Sequence, residues 1–176
     1  GPSKTIKTLL PILKQKNVKA TFFVVGKQVE TYPDILKSIQ SDGHEIENHT
    51  YNHRALSYLD ENDIEKEYFS TSASVRSVIG HGTSFIRPPG GRSGSEFYRF
   101  LRMYGVHTIL WTINCVTQEG TNKDRVVNQV LRGVRPGAII LMHHGDMVTQ
   151  QAVSKVIDEL RARRYEFVTI GELISK

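Results

Sequence analysis

The sequence predicts an α/β fold in which parallel strands alternate with helices. Six short extended segments recur along the 176 residues, and each is separated from the next by a helical pattern or a long loop. Such alternation is typical of βαβ units. Some of these segments are apolar throughout, as strands buried on both faces of a parallel sheet are. Polar, titratable residues follow several of the strands, where the functional loops of such folds gather.

The composition fits one globular domain. The chain has 39% hydrophobic and 23% charged residues, and its length is usual for a single domain. No apolar run approaches the roughly 18 residues of a membrane-spanning helix. The single cysteine, Cys115, excludes an internal disulfide and a multi-cysteine zinc site. The net charge of +5 suits an anionic partner, but it is scattered and no nucleic-acid-binding motif accompanies it.

The first quarter of the chain predicts two helices and two strands. Apolar residues recur on one side of a helix over residues 6–16. The apolar run at 20–25 predicts the first strand. A second helix is expected to start near Pro33, which is tolerated in a first turn, and to stop at Asp42-Gly43. Residues 45–48 then form a short second strand.

A long helix dominates the middle of the chain. It is predicted over residues 60–79, because acidic residues open it and Gly80 follows its last turn. Residues 85–87 resume extended structure and lead into a loop of proline and glycine. A helix at 96–104 and a strand at 106–111 follow.

The last third repeats the alternation. We predict a helix at 123–131, a strand at 138–142, a helix at 150–163 and a final strand at 166–169. Such an order of elements forms either an open doubly wound sheet or a closed barrel. In both cases the functional residues lie in loops at the carboxyl ends of the strands.

Two histidines four residues apart follow the second predicted strand. Their spacing lets His49 and His53 reach one metal ion if the segment makes a helical turn. The pattern is weak when taken alone, because it occurs by chance in many sequences. Catalytic zinc usually has three protein ligands, one of them often a carboxylate. A third ligand must therefore come from elsewhere.

Further candidates stand at other strand ends. At least one of His143 and His144 is expected at the rim as a general acid, a general base or a ligand, the alternative being a surface histidine with an ordinary hydrogen bond. Arg87 precedes two prolines that hold it rigidly. It would bind a carboxylate there, or else form a surface ion pair.

Together these residues resemble the polysaccharide deacetylases, the NodB-homology domain of carbohydrate esterase family 4. The resemblance covers nearly the whole chain, and five matches in the same order make it specific. They are the segments 18–26, 43–53, 87–90, 136–143 and 165–169.

The resemblance implies a distorted (β/α)7-type barrel that forms a single NodB-homology domain over residues 1–176. Its members remove acetyl groups from N-acetylglucosamine polymers such as peptidoglycan, or from acetylated xylan. It implies one divalent metal ion, zinc with cobalt or nickel as alternatives, bound here by His49 and His53. We further expect a glycan polymer as partner, no nucleic acid, a monomer, and an extracytoplasmic location.

The start of the chain matters for this resemblance. The family's general base and third metal ligand are aspartates of an Asp-Asp-Gly-Pro motif at the end of the first strand. Residues Gly1-Pro2-Ser3 resemble the tail of that motif. We therefore expect an N-terminally incomplete domain, with the first strand and both aspartates upstream. The alternative is that Gly1-Pro2 is the remnant of a cleaved tag.

The family positions also imply roles around the acetyl group. His143 would protonate the leaving amine, and Arg87 would belong to the catalytic set. The backbone N–H of Gly90 would help to stabilise the oxyanion. The residues on the oxyanion and substrate side are Gly90, Pro89, Trp111 and Leu141.

Three departures from the family pattern leave other functions open. One is the doubled His143-His144, which leaves open which imidazole faces the metal. Gly90 stands where an aromatic residue usually follows the second proline. Asn114, Thr117 and Gln118 replace two carboxylates and a tryptophan, for which Asp146 or Glu119 would have to substitute. One alternative is therefore a catalytically impaired member that binds glycans or serves a structural role. Another is a deacetylase of acetylxylan or a hydrolase of a small amide.

Overall fold

The computed structural model describes residues 1–115 and 121–175 of the chain. They fall into two compact units, the first formed by residues 1–3 and 21–110 and the second by the described residues among 4–20, 111–115 and 121–175. The prediction of a single domain stays a prediction. The strands of the described residues are β1 (Thr21–Val24), β2 (Glu45–Asn48), β3 (Phe85–Ile86), β4 (His107–Thr108), β5 (Ile113–Asn114) and β6 (Ile140–Leu141).

The helices occupy most of the intervening sequence. In the described residues they are α1 (Ile6–Gln15), α2 (Gly26–Thr31), α3 (Pro33–Ser41), α4 (Glu61–Ile79), α5 (Ser95–Tyr104), α6 (Lys123–Gly133), α7 (Met147–Ala162) and α8 (Ile170–Ile174). Short 3-10 turns lie at Leu56–Tyr58 and Pro89–Gly91.

The first unit contains a four-stranded parallel sheet in the order β1-β2-β3-β4. Its register aligns the strand ends, because Asn48 pairs with both Val24 and Ile86. The backbone N–H groups of His49 and Arg87 each donate to the last residue of the neighbouring strand, at 2.9 Å. The sheet thus brings the residues after β2 and β3 to one edge.

Helices α4 and α5 enclose an apolar cluster in the first unit. Asp60 caps α4 by accepting a hydrogen bond from Asp63 N at 2.8 Å, and Gly80 ends the helix with a φ of +85°. The buried members of the apolar cluster are Leu56, Leu59, Ile64, Tyr68, Ile86, Phe97 and Phe100. Their burial removes apolar surface from water and holds α4 against β3.

The second unit contains a parallel pair of strands, β5 and β6, with helices α1, α6, α7 and α8. Helix α6 is capped by Asn122, which accepts from Arg125 N at 2.9 Å, and α7 by Asp146. The buried members of its core are Ile113, Cys115, Val126, Val127, Val130, Ala152, Val156 and Leu160.

Parallel pairing in both units confirms the predicted α/β class. The strand predicted at 166–169 is wrong, since these residues form no ladder within the part of the chain that the structure describes. The backbone N–H of Thr169 instead donates to Glu172 Oε2 at 2.8 Å in a capping box for α8. Helix α7 starts three residues before the predicted 150, because Asp146 caps it. Helices α2 and α8 and strand β5 were not predicted.

Among residues 1–115 and 121–175, no helix is both long and apolar enough to cross a bilayer.

Candidate functional site

The two histidines after β2 lie side by side in a loop, with ring centroids 4.9 Å apart and ring planes at 70°. The segment does not make a helical turn, because Thr50 and His53 both have left-handed backbone conformations, with φ values of +65° and +60°. Non-glycine residues adopt this region rarely. A loop with two left-handed residues, rather than a helix, therefore brings the rings together.

The orientation of His49 is set by its neighbouring strands. Its backbone N–H donates to Val24 O, and its ring Nδ1 lies 2.6 Å from Arg87 O. A carbonyl oxygen only accepts hydrogen bonds, so Nδ1 carries the proton and Nε2 keeps its lone pair. Burial, together with the charge of nearby His53, lowers the pKa of His49 to about 3. The ring is therefore neutral near pH 7, the form that ligates metals.

The loop that carries these histidines rests on the first turn of α2. The N–H groups of Gly26 and Lys27 donate to the carbonyl oxygens of Thr50 and Tyr51, each at 3.1 Å. A Cβ on Gly26 would lie 2.3 Å from Cδ2 of Tyr51, so the approach requires glycine. Asn48 adds an internal turn, since its Oδ1 accepts from Thr50 N at 2.9 Å.

Two buried glutamates of the first unit accept backbone hydrogen bonds, and neither was predicted from the sequence as a structural support. Glu67, 2% exposed, accepts from Asn52 N at 2.7 Å and from Asn52 Nδ2 at 2.8 Å. Glu47 accepts from Ser84 N and Phe85 N, both at 2.8 Å, and burial raises its pKa to about 7. A signal for Glu67 was present, because it lies at helical spacing among the buried residues of α4: Ile64, Tyr68, Thr71 and Val75.

Arg87 follows β3 with its guanidinium buried. Nε donates to Ile109 O at 3.0 Å and an Nη to Leu110 O at 3.1 Å. Its central carbon lies 4.0 Å from the centroid of the Phe23 ring, a cation–π distance. Burial lowers the pKa of Arg87 to about 10, which leaves it cationic at neutral pH. With an exposed fraction of 8%, Arg87 is a buried cation and not a surface residue.

The loop after Arg87 presents an exposed glycine. Pro88 and Pro89 are buried, whereas Gly90 is exposed and has a φ of +64°. The next N–H, from Gly91, donates to Pro88 O at 2.9 Å and closes the turn. A side chain at position 90 would be strained, so this turn geometry accounts for a glycine where the family usually has an aromatic residue.

The two histidines after β6 differ in environment within the second unit. His143 is exposed, whereas His144 is partly buried, with Nδ1 3.1 Å from Thr5 Oγ1 and its carbonyl oxygen bound by the Gln150 amide. Burial lowers the pKa of His144 to about 4. These contacts tie His144 to α1 and α7, whereas the side chain of His143 is exposed.

The other predicted residues of the second unit are placed as follows. Leu141 is buried in β6, and Trp111 is half-buried ahead of β5. Asn114 ends β5, and its carbonyl oxygen accepts from Gln129 Nε2 at 2.6 Å. Asp146, one proposed substitute carboxylate, accepts from Val148 N at 2.9 Å at the start of α7. Thr117, Gln118 and Glu119 lie outside the described residues.

The first unit therefore brings His49, His53, Arg87 and the Pro89-Gly90 turn to one edge of its sheet. His143, Leu141 and Trp111 belong to the second unit. The donor set of two imidazoles, one of them with its tautomer fixed, fits two ligands of a divalent metal ion. Within residues 1–115 and 121–175, no group of three or more His, Cys, Asp or Glu side chains is arranged to hold a metal. Among the described residues, His49 and His53 are thus a pair of candidate ligands.

Comparison with known proteins places this geometry in context. Residues 1–114 match the family described as polysaccharide deacetylase. A peptidoglycan-N-acetylglucosamine deacetylase of Bacillus cereus is 33% identical over 169 residues. The alignment covers 94% of this chain and 62% of that relative, so the chain spans less than two thirds of the relative's length.

Solved structures share the fold closely. A family 4 acetyl xylan esterase from Clostridium thermocellum, in complex with a cobalt ion, gives a TM-score of 0.92 at 29% identity over 99% of this chain and 86% of that one. A carbohydrate esterase family 4 pseudoenzyme from Bacillus anthracis gives 0.90 at 28% identity over 97% and 60%. A mutant of that pseudoenzyme has restored enzymatic activity.

Proposed function

The chain belongs to the polysaccharide deacetylase family, and from that premise we propose that it removes N-acetyl groups from an amino-sugar polymer, either peptidoglycan or a chitin-like N-acetylglucosamine polymer. The observation that carries the proposal is the adjacent pair of His49 and His53, with His49 oriented by Arg87 O. The peptidoglycan relative from Bacillus cereus supports the choice of substrate.

His49 and His53 would hold one divalent ion. Imidazole ligands suit zinc, and they also accept cobalt and nickel. The cobalt ion in the Clostridium thermocellum esterase supports a metal of this group. Such an ion supplies Lewis-acid polarisation of the acetyl carbonyl when it is bound.

The remaining residues take the roles in amide hydrolysis that their family positions imply. Water adds to the acetyl carbon, the C–N bond breaks, and the leaving nitrogen takes a proton. His143, exposed after β6, would donate that proton. The N–H of Gly90 would donate to the developing oxyanion. Trp111 and Leu141 would enclose the acetyl methyl, and Arg87 would keep His49 in place through its carbonyl oxygen.

The same proposal includes the charge of the substrate, the location of the protein and its oligomeric state. A net charge of +5 favours an anionic cell-wall polymer over a neutral one. We place the protein outside the cytoplasm, as a monomer that binds glycan and no nucleic acid. Secretion of a reporter fused to the native gene would test the location.

A second candidate is a family member that binds glycan without turnover. Asn114 replaces a family carboxylate at the end of β5, and the Bacillus anthracis pseudoenzyme shows that inactive members of this fold exist. Binding of an N-acetylglucosamine oligomer without acetate release would support this function.

The deciding experiment measures acetate. The native protein that carries this chain is loaded with Zn²⁺ and incubated with an N-acetylglucosamine pentamer, peptidoglycan or acetylxylan. We expect acetate from an amino-sugar polymer, its loss in His49→Ala and His143→Ala, and its retention in His81→Ala, a histidine change away from the strand ends. A folded, metal-bound protein that releases acetate from none of the three substrates would reject the deacetylase and favour the binding role.

A further inference from the structure

We propose that Glu67, a buried carboxylate on α4, is a positioning residue that holds His53 in its ligand conformation through Asn52. The inference rests on the proposed function, because it assumes that His53 binds a metal ion. It adds a second support to the site, since His49 is oriented by Arg87 O whereas His53 is held from a helix.

The contact between Glu67 and Asn52 is bidentate. Glu67 Oε2 accepts from the backbone N–H of Asn52 at 2.7 Å, and Oε1 accepts from its side-chain Nδ2 at 2.8 Å. Hydrogen bonds to a carboxylate are stronger than those between neutral groups. One bond fixes the backbone and the other the side chain of the residue immediately before His53. Rotation at position 52 would therefore break at least one of them.

Because Glu67 is buried, losing its hydrogen bonds to Asn52 would cost free energy. Glu67 is 2% exposed, whereas Asn52 is an exposed loop residue. A buried carboxylate without donors would lose solvation and gain nothing in return. The hydrogen bonds from Asn52 to Glu67 therefore stabilise the position of the loop against α4.

A second tether lies on the other side of His53. Arg54 Nη1 is 3.0 Å from Asp63 Oδ2, one helical turn before Glu67 on α4. This pair is largely exposed, so its contribution is small. Both neighbours of His53 are nonetheless bound to the same helix.

The conformation of His53 explains why tethers are needed. Its φ of +60° is unfavourable for a residue with a Cβ, and such conformations persist only where the surroundings determine them. Without the Glu67 contacts, the backbone at 52–53 would relax and carry the imidazole away from His49. The expected result is weaker metal binding with the sheet intact.

The test compares metal affinity in five variants of the native protein, titrated with Zn²⁺ and with Co²⁺. Glu67→Ala should weaken binding at least tenfold, in the range found when partners of metal ligands are removed. Glu67→Gln should stay within about threefold of the parent protein, because its amide can accept from Asn52 N and donate to a rotated Asn52 side chain. Asn52→Ala, an exposed change that should fold, should give an intermediate loss.

A matched control separates positioning from stability. Val75 is buried on the same face of α4, two turns away. Val75→Ala should destabilise the protein through lost packing, yet leave metal affinity within threefold. Amide hydrogen exchange gives a readout without metal: the N–H of Asn52 should exchange at least tenfold faster in Glu67→Ala and should be unchanged in Val75→Ala.

The outcomes distinguish this inference from the function beneath it. If the parent protein binds no metal, or binds it equally well in His49→Ala, the proposed metal site fails and takes this inference with it. If His49→Ala loses metal while Glu67→Ala keeps it within threefold, the metal site stands and the inference is overturned. Equal losses in Val75→Ala and Glu67→Ala would also overturn it.

Discussion

Nδ1 of His49 lies 2.6 Å from the carbonyl oxygen of Arg87, so the residue after β2 is oriented by the residue after β3. The contact exists because β2 and β3 are paired in register, with Asn48 opposite Ile86. A ring held this way presents Nε2 without reorganisation when a ligand arrives.

Metal binding should stabilise the folded protein and depend on His49. Ions at 100 times the dissociation constant add about 2.7 kcal/mol, which for a chain of this size raises Tm by roughly 5–10 °C. Differential scanning fluorimetry with Zn²⁺ should show this rise, its loss on chelation, and its absence in His49→Ala. A rise of equal size in His49→Ala would mean that the ion binds elsewhere. The control, His81→Ala, should shift like the parent.

Gly26→Ala should lower the stability of the protein and displace the loop that carries His49 and His53. The added methyl would lie 2.3 Å from Cδ2 of Tyr51, so the loop or α2 must move. We expect a loss of about 1–3 kcal/mol in the free energy of unfolding, measured by urea denaturation, together with weaker Zn²⁺ binding. Gly145→Ala is the control, since a Cβ there meets no atom within 4 Å. If the stability of Gly26→Ala were unchanged, the Tyr51 side chain could move aside at no cost and the prediction would be wrong.

Arg87→Lys should be destabilising although it keeps the charge. Lysine lacks the planar group that reaches the carbonyl oxygens of Ile109 and Leu110 while resting on Phe23. A loss of about 2–3 kcal/mol is expected from a buried cation with fewer partners. Urea denaturation measures it, with the exposed Arg92→Lys as the matched change. Equal stability in both variants would contradict the buried role of Arg87.

His144 should make the protein sensitive to acid. Burial lowers its pKa from 6.5 to about 4, so between those values the unfolded chain binds a proton that the folded chain does not. The free energy of unfolding should therefore fall as the pH drops from 6.5 towards 4. A contribution of about 1–2 kcal/mol is expected for this partly buried ring.

The variant His144→Asn checks this pH dependence. Asparagine can keep a hydrogen bond to Thr5 but does not titrate, so the difference in stability between variant and parent should change across pH 4–6.5. The exposed His107→Asn should follow the parent curve. If the free energy of unfolding of His144→Asn and of the parent protein changed with pH in the same way, the pKa of His144 would be the same in the folded and unfolded chains, and the prediction would be wrong.

Helical elements were largely predictable from the sequence because their signals are local. Acidic residues and Gly80 bound α4, and Pro33 opens α3. The strand predicted at 166–169 was wrong because strand pairing is not a local property. Alternation predicts extended backbone, but pairing depends on a partner distant in sequence. Thr169 instead uses its N–H in a helix cap. The paired histidines were visible in the sequence. Their supports, Glu67 and Arg87 O, were not identified, because both act across long sequence separations.

The bidentate contact of Glu67 implies an unequal pattern of variation among related sequences. One of its two bonds uses a backbone N–H, which every residue except proline offers at position 52. Position 52 should thus tolerate many residues and exclude proline, whereas position 67 should retain a carboxylate or an amide. Where relatives have an apolar residue at 67, the loop between the histidines should differ in length.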